Sequence, residues 1–167
     1  MAYLVSFIVF CQALGAFVGA GATVWGVYVY LQALRDGKID HAERVHLNAI
    51  ARGLRWGMSL LLIASLSLVI VAYLSHAMLQ PVFTSSYWVL IIFAFLIIYV
   101  SWALSRKRIS FALGSAIAFT AWWFLAYLTI GWIPVLSLGA AIAFFVVATG
   151  IFYAILQYTR MLAHPKS

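Results

Sequence analysis

The feature that most constrains this chain is a series of five long apolar segments, separated by short stretches that hold its charge. The segments run approximately over residues 3–34, 54–75, 85–105, 109–129 and 133–160. About 20 uncharged residues are enough to cross the hydrocarbon core of a bilayer as a helix. Because lipid offers no partner to backbone N–H and C=O groups, each segment must satisfy its own backbone as an α-helix. The sequence therefore predicts an all-α polytopic membrane protein, one transmembrane domain over 1–167 built as a five-helix bundle.

The composition excludes a water-soluble fold. Hydrophobic residues make up 67% of the chain and charged residues 8%, whereas a soluble domain is roughly half apolar and about a quarter charged. A membrane β-barrel needs strict polar/apolar alternation, and runs such as residues 90–100, LIIFAFLIIYV, have none. The one cysteine, Cys11, allows neither an intrachain disulfide nor a cysteine-based metal site.

The positive charges predict an orientation. All ten lysines and arginines lie within residues 35–56, 106–108 and 160–166, and five spans place these three regions on the same side. The links on the other side, 76–84 and 130–134, hold no Lys or Arg. The positive-inside rule then gives an outside N-terminus and an inside C-terminus in a bacterial inner (cytoplasmic) membrane. The net charge of +7 is explained by this bias, so the expected partner is the lipid bilayer and no nucleic acid is expected.

The spans lack the residues that usually carry chemistry in membranes. No Asp, Glu, Lys, Arg or His lies at the centre of any segment. Proton relays, ion pumps and voltage sensors depend on such residues, and so does general acid–base catalysis. No catalytic residue is predicted, and the sequence favours a non-enzymatic protein.

The first segment contains the most informative polar and small residues. Gln12 carries an amide at a depth where it needs a partner, which we expect to be another helix, a ligand or water, or an oligomer interface. Gly15 and Gly19 form a G-x-x-x-G pair, which permits close helix packing in lipid and would equally provide a slot for a flat ligand. This pattern also predicts that the first helix is central. The residues predicted to line a ligand pocket are Gln12, Gly15, Gly19, Ser115, Trp122 and Trp123.

Histidines offer the only candidates for a metal. Glu43 and His46 have the i, i+3 spacing of di-iron bundle proteins, but that chemistry needs several such pairs inside a bundle. His76 lies in the predicted outer link. We predict no metal site, with His46 and His76 as the weak candidates.

Four stretches resemble a known group of proteins. They are QALGAFVGAGA (12–22), LRDGKID (34–40), RWGMSLLLIASLSL (55–68) and FALGSAIAFTAWW (111–123). The chain resembles small bacterial membrane proteins related to the copper-resistance-D and membrane protoporphyrinogen oxidase superfamily, over about 12–70 and 88–125. The resemblance implies b-type haem held by histidines on the first and third spans. The first of these positions corresponds to Gln12, and the third span has no histidine, so we carry over the fold and predict no cofactor, with haem b as an alternative.

Three functions are therefore open. The first is a non-enzymatic protein that packs with itself or a membrane partner and encloses an apolar ligand, a lipid or a quinone, in the glycine-lined groove. The second is an oligomeric channel or small-solute carrier, in which Gln12, Ser65, Ser115 and Thr120 would line a path. The third is a haem-b redox protein.

Overall fold

The computed structural model describes residues 2–36, 41–76, 81–106, 108–131 and 137–163. Within these ranges, the structure does not describe the side chains of residues 2, 33–36, 41–48, 82 and 162–163. The described part forms five α-helices and one short 3₁₀ turn at Pro81–Phe83, with no strand. All five helices are long and apolar enough to cross a membrane. The predicted all-α, five-helix membrane architecture is confirmed.

The helices follow the apolar segments closely. They are α1 (Ala2–Asp36), α2 (His41–Leu74), α3 (Ser85–Ser105), α4 (Phe111–Ile130) and α5 (Leu138–Ala163). Helix α2 begins at His41, well before its apolar stretch starts at Ala49. The apolar stretches of sufficient length are 3–32, 49–74, 85–105, 111–130 and 138–161.

Neighbouring helices are antiparallel, so the chain crosses the bundle five times. Gln12 of α1 contacts Ser65 of α2, Phe93 of α3 stacks on Phe124 of α4, and Phe119 of α4 stacks on Phe152 of α5. Helices α1, α3 and α5 therefore end where α2 and α4 begin, near residues 36, 41, 105, 111 and 163. We call this the basic end, because the described side chains of Arg52, Arg55, Arg106, Arg108 and Arg160 lie on this side of the bundle.

The most buried helix is α4, which differs from the prediction that α1 is central. Half of the apolar stretch of α4 is buried, against 28% for α1 and 11% for α5. Helix α4 packs against α1, α3 and α5, whereas α1 packs chiefly against α2 and α4. Small residues mark where two backbones approach closely, and that is not the same property as being surrounded on all sides.

Serine caps and a glycine set two helix boundaries of α4 and the start of α5. The Ser110 hydroxyl accepts from the Leu113 N–H, and α4 ends at Gly131, whose φ of 75° lies in the left-handed region. The Ser137 hydroxyl accepts from the Ala140 N–H at 3.3 Å. These side chains satisfy N–H groups that the first turn of a helix leaves without partners. Helix α5 accordingly begins at Leu138, five residues after the predicted start at 133; residues 132–136 lie outside the described part.

Candidate functional site

The first predicted site residue, Gly15, lies at a backbone-to-backbone contact between α1 and α2. A Cβ placed on Gly15 would be 2.8 Å from the carbonyl oxygen of Gly57 and 2.8 Å from the Leu61 nitrogen. A Cβ placed on Gly57 would be 2.8 Å from the Gly15 carbonyl oxygen. The two glycines therefore allow α1 and α2 to approach until their main chains touch, which maximises van der Waals contact where lipid gives no hydrophobic drive.

Gly19, one turn further along α1, receives the indole ring of Trp122. A Cβ on Gly19 would overlap the six-membered ring of Trp122, and Trp122 itself is fully buried. The flat surface predicted at Gly19 thus packs against a flat group from α4 of the same chain.

The Gln12 amide has a partner on α2. Its Nε2 donates to Ser65 Oγ at 2.9 Å, and Ser65 Oγ donates in turn to the Leu61 carbonyl at 2.7 Å. The Ser65 hydroxyl is 1% exposed and both accepts and donates. Gln12 therefore has a neighbouring helix as partner, one of the three partners considered for it.

The other two predicted site residues lie elsewhere. Ser115 lines a small cavity of about 150 Å³ near the basic end, together with Thr23, Gly26 and Ser101. Trp123 lines a groove between α4 and α5. The six predicted residues thus divide among a helix seam (Gln12, Gly15, Gly19 and Trp122), a cavity (Ser115) and a groove (Trp123), and they do not surround one common space.

The groove between α4 and α5, which we call the aromatic groove, is a large and mostly apolar depression. It has a volume of about 540 Å³, and its walls are Phe119, Thr120, Trp123, Phe124, Tyr127, Phe144, Ala148, Ile151, Phe152 and Ile155. The rings of Phe119 and Phe152 stack across it with centroids 4.1 Å apart. Ligand sites in proteins are typically concave, mostly apolar and of this size.

In the part of the chain that the structure describes, three buried polar atoms lack partners, and one of them belongs to Trp123 in the groove wall. Among the described side chains, Trp122 Nε1, Trp123 Nε1 and Thr149 Oγ1 are buried without a hydrogen bond. An unpaired buried donor costs about 1–3 kcal/mol, and in a bilayer no water is present to supply the missing acceptor. The Trp123 N–H is therefore a group that a ligand or a partner helix would stabilise by accepting its hydrogen bond.

The polar residues predicted to line a channel do not all come together: three form hydrogen bonds within the chain, and one lies in a separate cavity. The Thr120 hydroxyl donates to the Ala116 carbonyl of its own helix at 2.9 Å, while Gln12 and Ser65 bond to each other. Ser115 lies in the separate cavity. Within one copy of the chain these four side chains do not line a single path.

The residues present do not fit a haem held by two histidines. Gln12 is engaged with Ser65, and the whole of α3, Ser85–Ser105, contains no histidine. His76 is exposed just beyond α2 with φ 49°, a left-handed conformation that commonly ends helices. The side chain of His46 lies outside the description, and the described residues hold no group of three metal-binding side chains.

Two features of the structure were missed in the sequence. One is Gly57, the glycine of α2 that meets Gly15; its signal was a lone glycine inside an apolar segment, which commonly marks close packing. The other is the approach of Arg106 and Arg108 to Trp102, at 5.9 and 4.9 Å from its ring centroid. Here the signal was an aromatic residue four positions before an arginine on a helix.

Comparisons with protein families, with curated protein sequences and with solved structures give no match.

Proposed function

We propose that this chain is a non-enzymatic integral membrane protein that holds an apolar ligand, a lipid chain or a quinone, in the aromatic groove between α4 and α5. The sequence predicts such a ligand in the glycine-lined groove on α1. That groove is filled by the chain's own Trp122 and by α2, so the proposal places the ligand in the aromatic groove and retains Trp123 from the predicted pocket.

The observation that carries the proposal is the apolar groove of about 540 Å³, which is lined by Trp123, a residue whose N–H is buried without an acceptor. The groove lies beside α5, whose apolar stretch is the least buried of the five described helices, at 11%. A groove that opens toward lipid is filled from the bilayer, by molecules with long hydrocarbon chains. A quinone would add a carbonyl, which would satisfy the Trp123 donor once the indole turned toward it.

The proposed setting is the bacterial inner membrane, with the basic end in the cytoplasm, on the basis of the positive-inside rule. The lightly buried α5 is the side on which we propose that the protein packs with a second copy or a membrane partner. The relation to the copper-resistance-D and protoporphyrinogen oxidase superfamily stays a prediction, and the haem alternative is not proposed because the ligand set does not fit.

The test is to purify the protein in lipid nanodiscs and to identify retained molecules by mass spectrometry. Ala148→Trp fills the groove, whereas Gly150→Trp adds the same ring on the same helix at a position where a Cβ meets nothing within 4 Å. The proposal expects a retained lipid or quinone in the wild type and in Gly150→Trp, and its loss in Ala148→Trp. Equal retention in both variants would contradict the proposal. A dimer that is dissociated only by Ala148→Trp would also contradict it, because the occupant of the groove would then be a second copy of the chain.

The variant Trp123→Phe distinguishes the two ligands. It keeps an aromatic ring in the groove wall and removes only the N–H donor. Loss of a quinone with no loss of acyl lipid would assign the groove to a quinone. Unchanged retention of every ligand would show that the unpaired N–H has no part in binding.

A further inference from the structure

A second groove, between α2 and α3, opens at the basic end. Helix α2 packs chiefly against α1, and α3 chiefly against α4, so that α2 and α3 are left apart. The gap has a volume of about 450 Å³ and is mostly apolar. Met58 of α2 and Ile97 of α3 lie at its buried part, and Arg55 and Trp102 lie at its mouth.

One arginine, Arg55 of α2, lines this mouth, and two more lie beside its Trp102 just after the end of α3. On α2, the Arg55 Nε donates to the Ala51 carbonyl at 3.2 Å, which directs the side chain back toward the basic end. Beyond the end of α3, the Arg108 N–H donates to the Ala103 carbonyl at 2.9 Å. The Arg108 guanidinium then lies 4.9 Å from the Trp102 ring centroid and that of Arg106 5.9 Å away.

An apolar groove whose mouth carries guanidinium groups matches one kind of molecule in a membrane. An anionic phospholipid has a phosphate, which arginine binds with paired, charge-assisted hydrogen bonds, and acyl chains that fit an apolar groove. Basic pockets between transmembrane helices are known to hold anionic headgroups. A zwitterionic lipid has the same chains but offers less net attraction to the arginines.

We infer that the α2–α3 groove binds one anionic phospholipid, with its phosphate between Arg55 and Arg108 beside Trp102 and an acyl chain along Met58 and Ile97. This site is separate from the aromatic groove, and it does not depend on the function proposed for that groove. It adds a specific lipid partner to a surface that would otherwise only face bulk lipid.

The experiment compares phosphatidylglycerol with phosphatidylcholine of identical acyl chains, titrated into detergent-solubilised protein and followed by native mass spectrometry. The wild type is expected to bind phosphatidylglycerol more tightly. Arg55→Gln and Arg108→Gln should each weaken phosphatidylglycerol binding about fivefold and leave phosphatidylcholine binding unchanged. The matched control Arg160→Gln removes an exposed arginine from the last turn of α5, at the same end of the bundle, and should change nothing.

A second pair of variants tests the acyl-chain part of the site. Ser101→Phe fills the groove from α3 and should weaken both lipids, while Ala154→Phe on the exposed surface of α5 should weaken neither. Equal affinity of the wild type for the two lipids would overturn the inference, as would an Arg160→Gln effect as large as that of Arg55→Gln. Displacement of phosphatidylglycerol by millimolar inorganic phosphate, or no effect of Ser101→Phe, would reduce the site to a surface anion site and overturn it as a lipid groove.

Discussion

At Gly15 the main chains of α1 and α2 touch, so a single methyl group has a large effect. The added Cβ of Gly15→Ala would lie 2.8 Å from two backbone atoms of α2, which cannot rotate away. We expect a loss of about 1–3 kcal/mol in the free energy of unfolding, the usual cost of overpacking. The control is Gly21→Ala on the same helix, whose Cβ meets nothing within 4 Å. Steric-trap unfolding in bicelles measures both, and equal stabilities would show that α1 and α2 are further apart than described.

The Gln12–Ser65 hydrogen bond is the second single-residue contact that can be tested. Interhelical hydrogen bonds in membranes contribute about 0.6–2 kcal/mol, so Ser65→Ala should destabilise the protein by that amount. Ser67→Ala is the matched control, because its hydroxyl bonds only to the Ile63 carbonyl of its own helix. A double-mutant cycle with Gln12→Leu should give a coupling energy of the same size. A coupling energy of zero would mean that the two side chains do not interact.

The sequence predicts which residues need partners better than it predicts the partners. An amide inside an apolar segment requires a hydrogen bond in lipid, and this much follows from Gln12 alone. The choice of Ser65, 53 residues away, depends on the register between α1 and α2. That register is set by the Gly15–Gly57 contact, which only the folded helices bring together.

At the scale of helix pairs, the α1–α4 and α3–α4 contacts both use a glycine but differ in what faces it. Gly19 faces the rigid, fully buried ring of Trp122, whereas Gly114 faces the Leu104 side chain. Leucine can change rotamer and the buried indole cannot, so Gly19→Ala should lower the thermal stability more than Gly114→Ala. The double variant Leu104→Ala with Gly114→Ala should regain stability relative to Gly114→Ala alone. A larger loss for Gly114→Ala than for Gly19→Ala would contradict this ranking.

Helix extents follow from apolar runs, and helix ends follow from capping residues. The third segment was predicted at 85–105, and α3 is Ser85–Ser105. The fourth and fifth segments were predicted to begin at 109 and 133, but the helices begin after Ser110 and Ser137. Hydropathy alone misses such boundaries because a serine that caps a helix is not distinguished from one that lies inside it.

At the scale of the whole molecule, five crossings bring the described arginine side chains to one end of the bundle. The number of spans follows from hydropathy. Consecutive spans run in opposite directions, so every second link between them lies at the same end of the bundle. The spaces between helices could not be predicted. The aromatic groove and the α2–α3 groove exist because α4 packs against three helices, while α2 and α5 each pack chiefly against one. This arrangement depends on side-chain packing across the bundle.

The central proposal is that the bundle crosses the membrane with its basic end in the cytoplasm and its opposite end outside. Single cysteines introduced by Ser75→Cys and Ser105→Cys, in a Cys11→Ala background, test it directly, since both serines are exposed at the ends of α2 and α3. With a membrane-impermeant maleimide on intact cells, the account predicts labelling at position 75 and labelling at position 105 only after permeabilisation. Labelling of both positions from the same side of the intact membrane would contradict it.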